Sequence, residues 1–381
     1  MSKSSDTNGA EFDIVIVGGG LQGCSAALQL AARGKRVAVI ERDAPGRHAS
    51  GLNAGGVRSL GRHPAEIPLA LASLELWRDL ERLVGSDCGY RARGQLKIAE
   101  TEADMGKLEA RAAETRALGF DHEGPIGRNA LCDLVPEVAP GCVGGLYEPD
   151  EGAADPVRTT SAFFERARDR GVTFVVGEAV TDLDHTGDRW RIATPERHLQ
   201  AEVLVNCAGA WGAKIAALTG DEIPLEAVAL MMLVMAPVKR FLEPVCGVAG
   251  RKLSCKQLAN GTVLVGGGHK GTIDGSAHVA WPVPAELEIS AATVRDVFPL
   301  LSEVPVAWSW AGIEGITPDG LPVLGPSSEA PSVFHAFGFS AHGFALGPIV
   351  GQILTELVVD GGTRLPIEPF APGRFPRREA A

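Results

Sequence analysis

The chain lacks any run approaching the roughly 20 apolar residues that span a bilayer, so no membrane-spanning helix is expected. It also lacks basic excess: 36 Lys and Arg stand against 47 Asp and Glu, a net charge of −11. Binding phosphate backbones needs a concentrated basic face, so a nucleic-acid partner is not expected. The seven cysteines (24, 88, 132, 142, 207, 246 and 255) form no C-x-x-C pair and no cluster with histidine. That argues against zinc or iron–sulfur, leaves no metal site to expect, and fits reduced thiols in a cytoplasmic protein. Residues 1–10 are polar and lack an apolar core, so they read as a disordered tail rather than a signal peptide. Internal repeats and low-complexity segments are absent as well.

What remains is an apolar chain of 381 residues, 45% hydrophobic, long for one core and suited to about two domains. Its 47 glycines cluster in short loops. The stretch that organises the rest is Phe12–Val17, an apolar run, followed by Gly18-x-Gly20-x-x-Gly23. A helical pattern with Leu21, Cys24, Leu28 and Ala31 on one face follows, then a second strand, Arg36–Ile40, ending in Glu41. Strand, tight turn, helix and strand make the context in which this glycine pattern binds a dinucleotide. Gly18 allows the turn, Gly20 admits a pyrophosphate, and Gly23 lets helix and strand pack closely. The helix N-terminus offers free N–H groups and partial positive charge. Glu41 can accept both ribose hydroxyls and would repel a 2′-phosphate, which favours FAD or NAD over NADP.

Further along, Arg42–Arg58 is a long Gly-rich loop, and Ala65–Leu83 carries a helical pattern. A strand is expected near 94–99, helices near 102–118 and 129–134, and a Pro-started helix over 156–170. Short strands near 173–176, 179–183 and 190–193 read as a meander. Val203–Trp211 is a buried strand entering a small-residue turn, a second backbone turn that could meet the dinucleotide. Segments 225–238 and 262–267 read as sheet and 285–298 as helix. Near the C-terminus, the loop of Val333–Pro348 is expected to open a last helix at Pro348, a second anion-receiving helix end. Met231, Met232, Met235, Phe241 and Trp281 either line an apolar pocket or form ordinary core.

Four motifs then take on a family pattern in order: Gly18–Gly23 with Glu41; Ser50–Arg58; Asn206–Trp211; and Trp310–Gly325 with Phe339–Pro348. Together they resemble the FAD-dependent D-amino-acid oxidase family, which includes glycine oxidase, sarcosine oxidase and D-amino-acid dehydrogenases. The resemblance implies an α/β fold. A discontinuous Rossmann-like FAD-binding domain (11–85, 150–218 and 315–371) would pair with an α+β substrate domain (86–149 and 219–314) built on a large antiparallel sheet. It implies cofactor contacts from Gly18, Gly20, Leu21, Gln22, Gly23, Glu41, Arg42, Ser50, Gly51, Asn53, Ala54, Gly55, Gly56, Val180, Ala208, Gly209, Trp211, Gly312, Gly343, Phe344 and Gly347. Val180 would pack by adenine, and the helix after Gly347-Pro348 would face the flavin pyrimidine, where negative charge develops. The implied reaction is oxidation of an amine C–N bond to an imine by hydride transfer to FAD, with oxygen, a quinone or a partner protein as final acceptor.

The catalytic candidates are Arg58, His269, Glu314 and His342. Glycine oxidase-like members place a carboxylate-pairing Arg where this chain has Glu314. That residue therefore either points elsewhere or receives a substrate cation. Carboxylate recognition would then fall to Arg58, for which a surface loop residue is the alternative reading; Lys252 and Lys256 are weaker candidates. His269 sits where some members place a histidine over the flavin, or else simply ends a strand. His342 would touch flavin through backbone. His48, before Ala-Ser-Gly-Leu, resembles the histidine that carries flavin covalently in dimethylglycine dehydrogenases; non-covalent FAD is the expectation here. A redox subunit or assembly factor without independent turnover is the alternative reading, in a homo- or hetero-oligomer, with an NAD-dependent dehydrogenase as a third.

Overall fold

The computed structural model describes residues 8–275 and 278–375. Two eight-stranded sheets build it. The first is centred on Glu11–Val17, which pairs in parallel with Val37–Glu41 on one side and with His198–Asn206 on the other. Thr173–Val176 extends this parallel layer beyond Val37–Glu41. All four residues of Ile14–Val17 are buried, as are all five of Val37–Glu41, which is the signature of strands covered on both faces.

The strand His198–Asn206 is shared. Its first half pairs antiparallel with Arg189–Ala193, and its last three residues pair in parallel with Val333–Phe337. The expected meander is therefore corrected. Thr173–Val176 belongs to the parallel layer, and only Asp182–Thr186, Arg189–Ala193 and His198–Asn206 run back and forth. The expected strand at 179–183 starts at Asp182. Residues 1–7 of the expected tail lie outside the described residues; Gly9 and Ala10 are ordered, bonded to His198 and Gln200 by backbone.

The second sheet runs Val306–Ile316, Glu226–Met235, Val263–Gly266, Ser254–Gln257, Val245–Val248, Gln95–Ala99, Gly144–Glu148, Gly124–Gly127. It is antiparallel except between Val245–Val248 and Gln95–Ala99. Its core packs under the helix Pro284–Val297 through Val294, Val297 and Phe298. We propose the domain division along these two sheets, with Val306–Ile316 running across the expected boundary at 314.

Two helices clasp each other beside the parallel layer. Leu21–Ala32 packs against Gly343–Val359 because glycines remove the obstructing side chains. A Cβ on Gly347 would lie 2.4 Å from the Leu21 side chain, and one on Gly351 would lie 2.2 Å from Ser25. The last helix thus starts at Gly343, not at Pro348. Pro348 sits inside it, and neighbours bind the carbonyls nearby: Ser73 and Trp77 donate to Ala345 O at 2.6 and 2.8 Å, and Gln29 donates to Pro348 O at 2.9 Å. The helix expected over 65–83 is broken at Asp79 into Ile67–Arg78 and Leu80–Val84, the second ending on left-handed Gly85.

Candidate active site

A cavity of about 790 Å³ runs between the two sheets, at the large end of small-molecule sites. One end is lined by Glu41, Arg42, Glu178 and Val180, the middle by Gly18, Gly20, Leu21, Gln22 and the Ser50–Gly56 and Cys207–Trp211 turns. The far end is lined by Arg58, Arg62, Lys97, Met231, Met232, Gly312–Gly315 and Ala341–Ala345.

The middle is a cradle of backbone. Gly18 turns at φ +107, and a Cβ there would meet Cys207 O at 2.4 Å. A Cβ on Gly23 would lie 1.9 Å from Gly18 O, so this glycine serves turn-to-helix packing and does not line the cavity. Two helix N-termini open on the cavity, and neither is capped by the side chain of its own N-cap residue or has an acid in its first turn: Leu21–Ala32 and Gly343–Val359. Uncapped helix starts carry free N–H groups and partial positive charge, a fit to an anionic or electron-rich ligand. Ser50 Oγ accepts one of those groups, Leu21 N–H, at 2.9 Å, and Gln22 ties the two helices by donating to Gly343 O at 2.7 Å. Glu41 accepts Gly19 N–H at 2.6 Å and Asp43 N–H at 2.8 Å, which fixes its carboxylate on the cavity wall. Trp211 is held under the Arg42 guanidinium at 3.8 Å and beside His48 at 4.9 Å, whose Nε2 meets Asp43 at 2.9 Å.

The far end is built from charge. The Gly56–Arg62 loop wraps buried carboxylates: Glu151 accepts from Ser59 N–H, Ser59 Oγ and Leu60 N–H, and Glu123 accepts from Gly61 N–H at 2.7 Å. Burial pushes Glu151 up to about 7 against those bonds. Left-handed Gly61 turns the chain so that Arg62 doubles back on Arg58, its Nε donating to Arg58 O at 3.3 Å. Arg62 is buried, and its Nη1 has no hydrogen-bond partner among the described residues. Burial, then the neighbouring Arg58, pull its pKa down to about 9, which keeps it charged at neutral pH. That Nη1 is enclosed, so what Arg62 brings to the cavity wall is its positive charge, which suits an anion arriving there.

Glu314 lines the same end. One carboxylate oxygen accepts Ala341 N–H at 2.7 Å; no other bond holds it among the described residues. Its remaining access is to the cavity, and desolvation there raises its pKa to about 7, with Arg62 pulling the other way. His342 contacts both oxygens of buried Glu66 at 3.1 Å. Burial, then Arg62, lower the imidazole to about 4, so it is neutral and donates Nδ1–H to an ionised Glu66.

Several expected residues are placed elsewhere. His269 does not line the cavity; it is buried with its Nδ1 paired to Glu286 at 2.8 Å on the helix Pro284–Val297. Gly51 packs against Gly46 O and Gly347 against Leu21. Neither lines the cavity, and both act through packing. Asn53 lines it but spends its side chain on Ala49 O, Ser50 O and Gly55 N–H. Lys252 lines it, whereas Lys256 donates to Ala154 O at 3.2 Å. Met235 is core, Phe241 packs on Phe298, and Trp281 is exposed. The residue missed is Arg62. Its signal was the spacing Arg58-Ser-Leu-Gly61-Arg62, in which a turning glycine returns the second arginine to the first.

Fold and cavity, a parallel layer with a glycine turn facing an antiparallel sheet, suit a dinucleotide-dependent enzyme. A family model described as FAD dependent oxidoreductase (DAO) matches residues 13–357. The chain belongs to that family and is an FAD-dependent oxidoreductase. It is 28% identical to the hydrogen cyanide synthase subunit HcnC of Pseudomonas aeruginosa, over 97% of this chain and 98% of that one. It is 28% identical to the glycine oxidase of Geobacillus kaustophilus, over 94% and 96%. The solved L-proline dehydrogenase of P. horikoshii superposes with TM-score 0.88 at 25% identity, covering 96% of this chain and 98% of that one. Among the described residues no helix is long and apolar enough to cross a membrane.

Proposed function

We propose that this enzyme oxidises the C–N bond of an amino acid bearing a free carboxylate, of the D-amino-acid, glycine, sarcosine or imino-acid type. The observation that carries the reading is the pair of arginines that lines the far end of the cavity, Arg58 and Arg62, the second buried and charged at neutral pH. Arg62 would share the carboxylate-binding task expected of Arg58, whose Nη1 is turned to Leu60 O and which lines the same end. An Arg–carboxylate pair fixes direction as well as position, and so sets the α-carbon within the site. The bound FAD supplies the hydride acceptor. Glu41 and Val180 would hold its adenosine, the Gly18–Gln22 turn its pyrophosphate, and Gly343–Ala345 its electron-rich end.

FAD is held without a covalent bond in this reading. The His48 Nε2 is already paired with Asp43, and no cysteine follows Cys255. Acid precipitation of the holoenzyme is expected to leave a colourless pellet; a yellow one contradicts the assignment. The activity itself is tested by anaerobic bleaching of the flavin with amino acids, N-methyl amino acids and imino acids. Bleaching by at least one class is expected, and bleaching by none contradicts the proposal. A second reading, a redox subunit working with a partner chain, is favoured by Trp308, 69% exposed on the edge strand of the large sheet. The relative HcnC is itself named a subunit. Turnover by the isolated chain decides between the two.

A further inference from the structure

The cavity's far end places a buried cation and a half-used anion on one wall. Arg62 contributes a buried positive charge to the wall, and Glu314 has one oxygen bound to Ala341 N–H while no bond holds the other among the described residues. The two residues feel each other electrostatically without forming an ion pair. A ligand that satisfies both must carry a negative and a positive group a few atoms apart. A zwitterionic amino acid does so. Other charges on this end are in part engaged or retracted. Arg58 is turned to Leu60 O, His342 to Glu66, and Lys97 on the sheet is drawn below its usual range by burial. Lys252 also lines the cavity, but it is a second cation.

Resting on the amino-acid reading above, we propose that Glu314 receives the substrate ammonium and takes one proton from it, delivering a neutral amine to the site. The step balances by itself. An N–H bond of the ammonium breaks, an O–H bond forms on Glu314, and the nitrogen keeps its electron pair. That pair is what allows the neighbouring C–H bond to release hydride, because a full ammonium has none to share. Desolvation lifts Glu314 to about 7, which narrows the gap between the carboxylate and an ordinary amine and makes it a better proton acceptor.

The bond to Ala341 gives Glu314 a second task. Ser340 and Ala341 are both left-handed, at φ +50 and +70, on the turn that starts the last helix. Such conformations are costly for residues with a Cβ and persist only where they are held. Glu314→Gln keeps an acceptor for Ala341 N–H while removing the proton acceptor, so it separates the two tasks.

The experiment uses holoenzyme and α-aminoisobutyrate, a zwitterion with no α-hydrogen to lose. Binding is read from the flavin spectrum and from thermal shift. In the wild type, affinity should rise about tenfold from pH 6 to pH 8, as a group near 7 ionises. Isobutyrate, with the same carboxylate and no amine, should show no such rise, and this comparison needs no variant. In Glu314→Gln the rise for α-aminoisobutyrate should vanish. Flavin reduction at pH 7 by a substrate found in the anaerobic screen should slow by about 100-fold, and recover as pH approaches the amine's own pKa. An unchanged pH dependence in Glu314→Gln, or an equal rise for isobutyrate, overturns the proposal while leaving the amino-acid reading intact. No bleaching by any amino acid at any pH overturns both.

Discussion

The two ends of the cavity solve opposite problems. The cradle around Gly18–Gly23 presents mainly backbone, with Glu41 fixed on its wall and two helix starts as its source of positive potential. The far end binds through buried side-chain charge: Arg58, Arg62, Glu66, Glu151 and Glu314 lie within one loop cluster and its neighbours. Backbone geometry tolerates almost no change in shape but is indifferent to surrounding side chains. Buried charge is easily rewired by one substitution, yet costs stability unless each group is answered. The contrast explains how a fixed cofactor cradle can serve different substrates, with selectivity written in a few ionisable groups.

That contrast can be broken most severely at Gly23. A Cβ there would stand 1.9 Å from Gly18 O, so Gly23→Ala should abolish FAD retention and lower the melting temperature sharply. The absorbance ratio of flavin to protein checks it. At the far end, Arg62→Met should leave flavin content intact but lower kcat/KM for a carboxylated substrate. The loss of a charged hydrogen bond, about 1.5–3 kcal/mol, corresponds to about 10- to 150-fold. Glu41→Gln should act at the opposite end. It keeps one acceptor of two and should weaken FAD binding by about tenfold while leaving the substrate KM of the loaded enzyme unchanged. The smallest effect concerns His342. Its pKa in the fold, about 4, lies below that of an unfolded histidine, so the folded state binds fewer protons in between. Stability is present above about pH 6.5 and lost as pH falls towards 4. His342→Asn should flatten the melting-temperature profile over that window.

That the glycine-turn unit would line the cavity was legible in the sequence because its geometry is local. Gly18, Gly20, Gly23 and Glu41 lie within one strand–turn–helix–strand unit, and each does its work through spacing. The far end was not, because its members meet only through tertiary structure. Arg62 is brought to Glu314 by a left-handed glycine and by carboxylates from residues 123 and 151, none of which a local pattern reports. His269 shows the converse. A suggestive position after a glycine run turned out to pair with Glu286, on a helix whose packing the strand pattern could not reveal. The start of the last helix was misplaced for a related reason. Pro348 usually marks a helix beginning, but Ser73, Trp77 and Gln29 supply bonds around it, and the helix continues through.

The central claim is that the far end reads a carboxylate through Arg62. Anaerobic flavin reduction by an amino acid and by its decarboxylated amine, in wild type and in Arg62→Met, tests it most directly. The account predicts fast bleaching of the wild type by the amino acid alone, and slow bleaching of the variant by both. Equal rates for amino acid and amine in the wild type would contradict it.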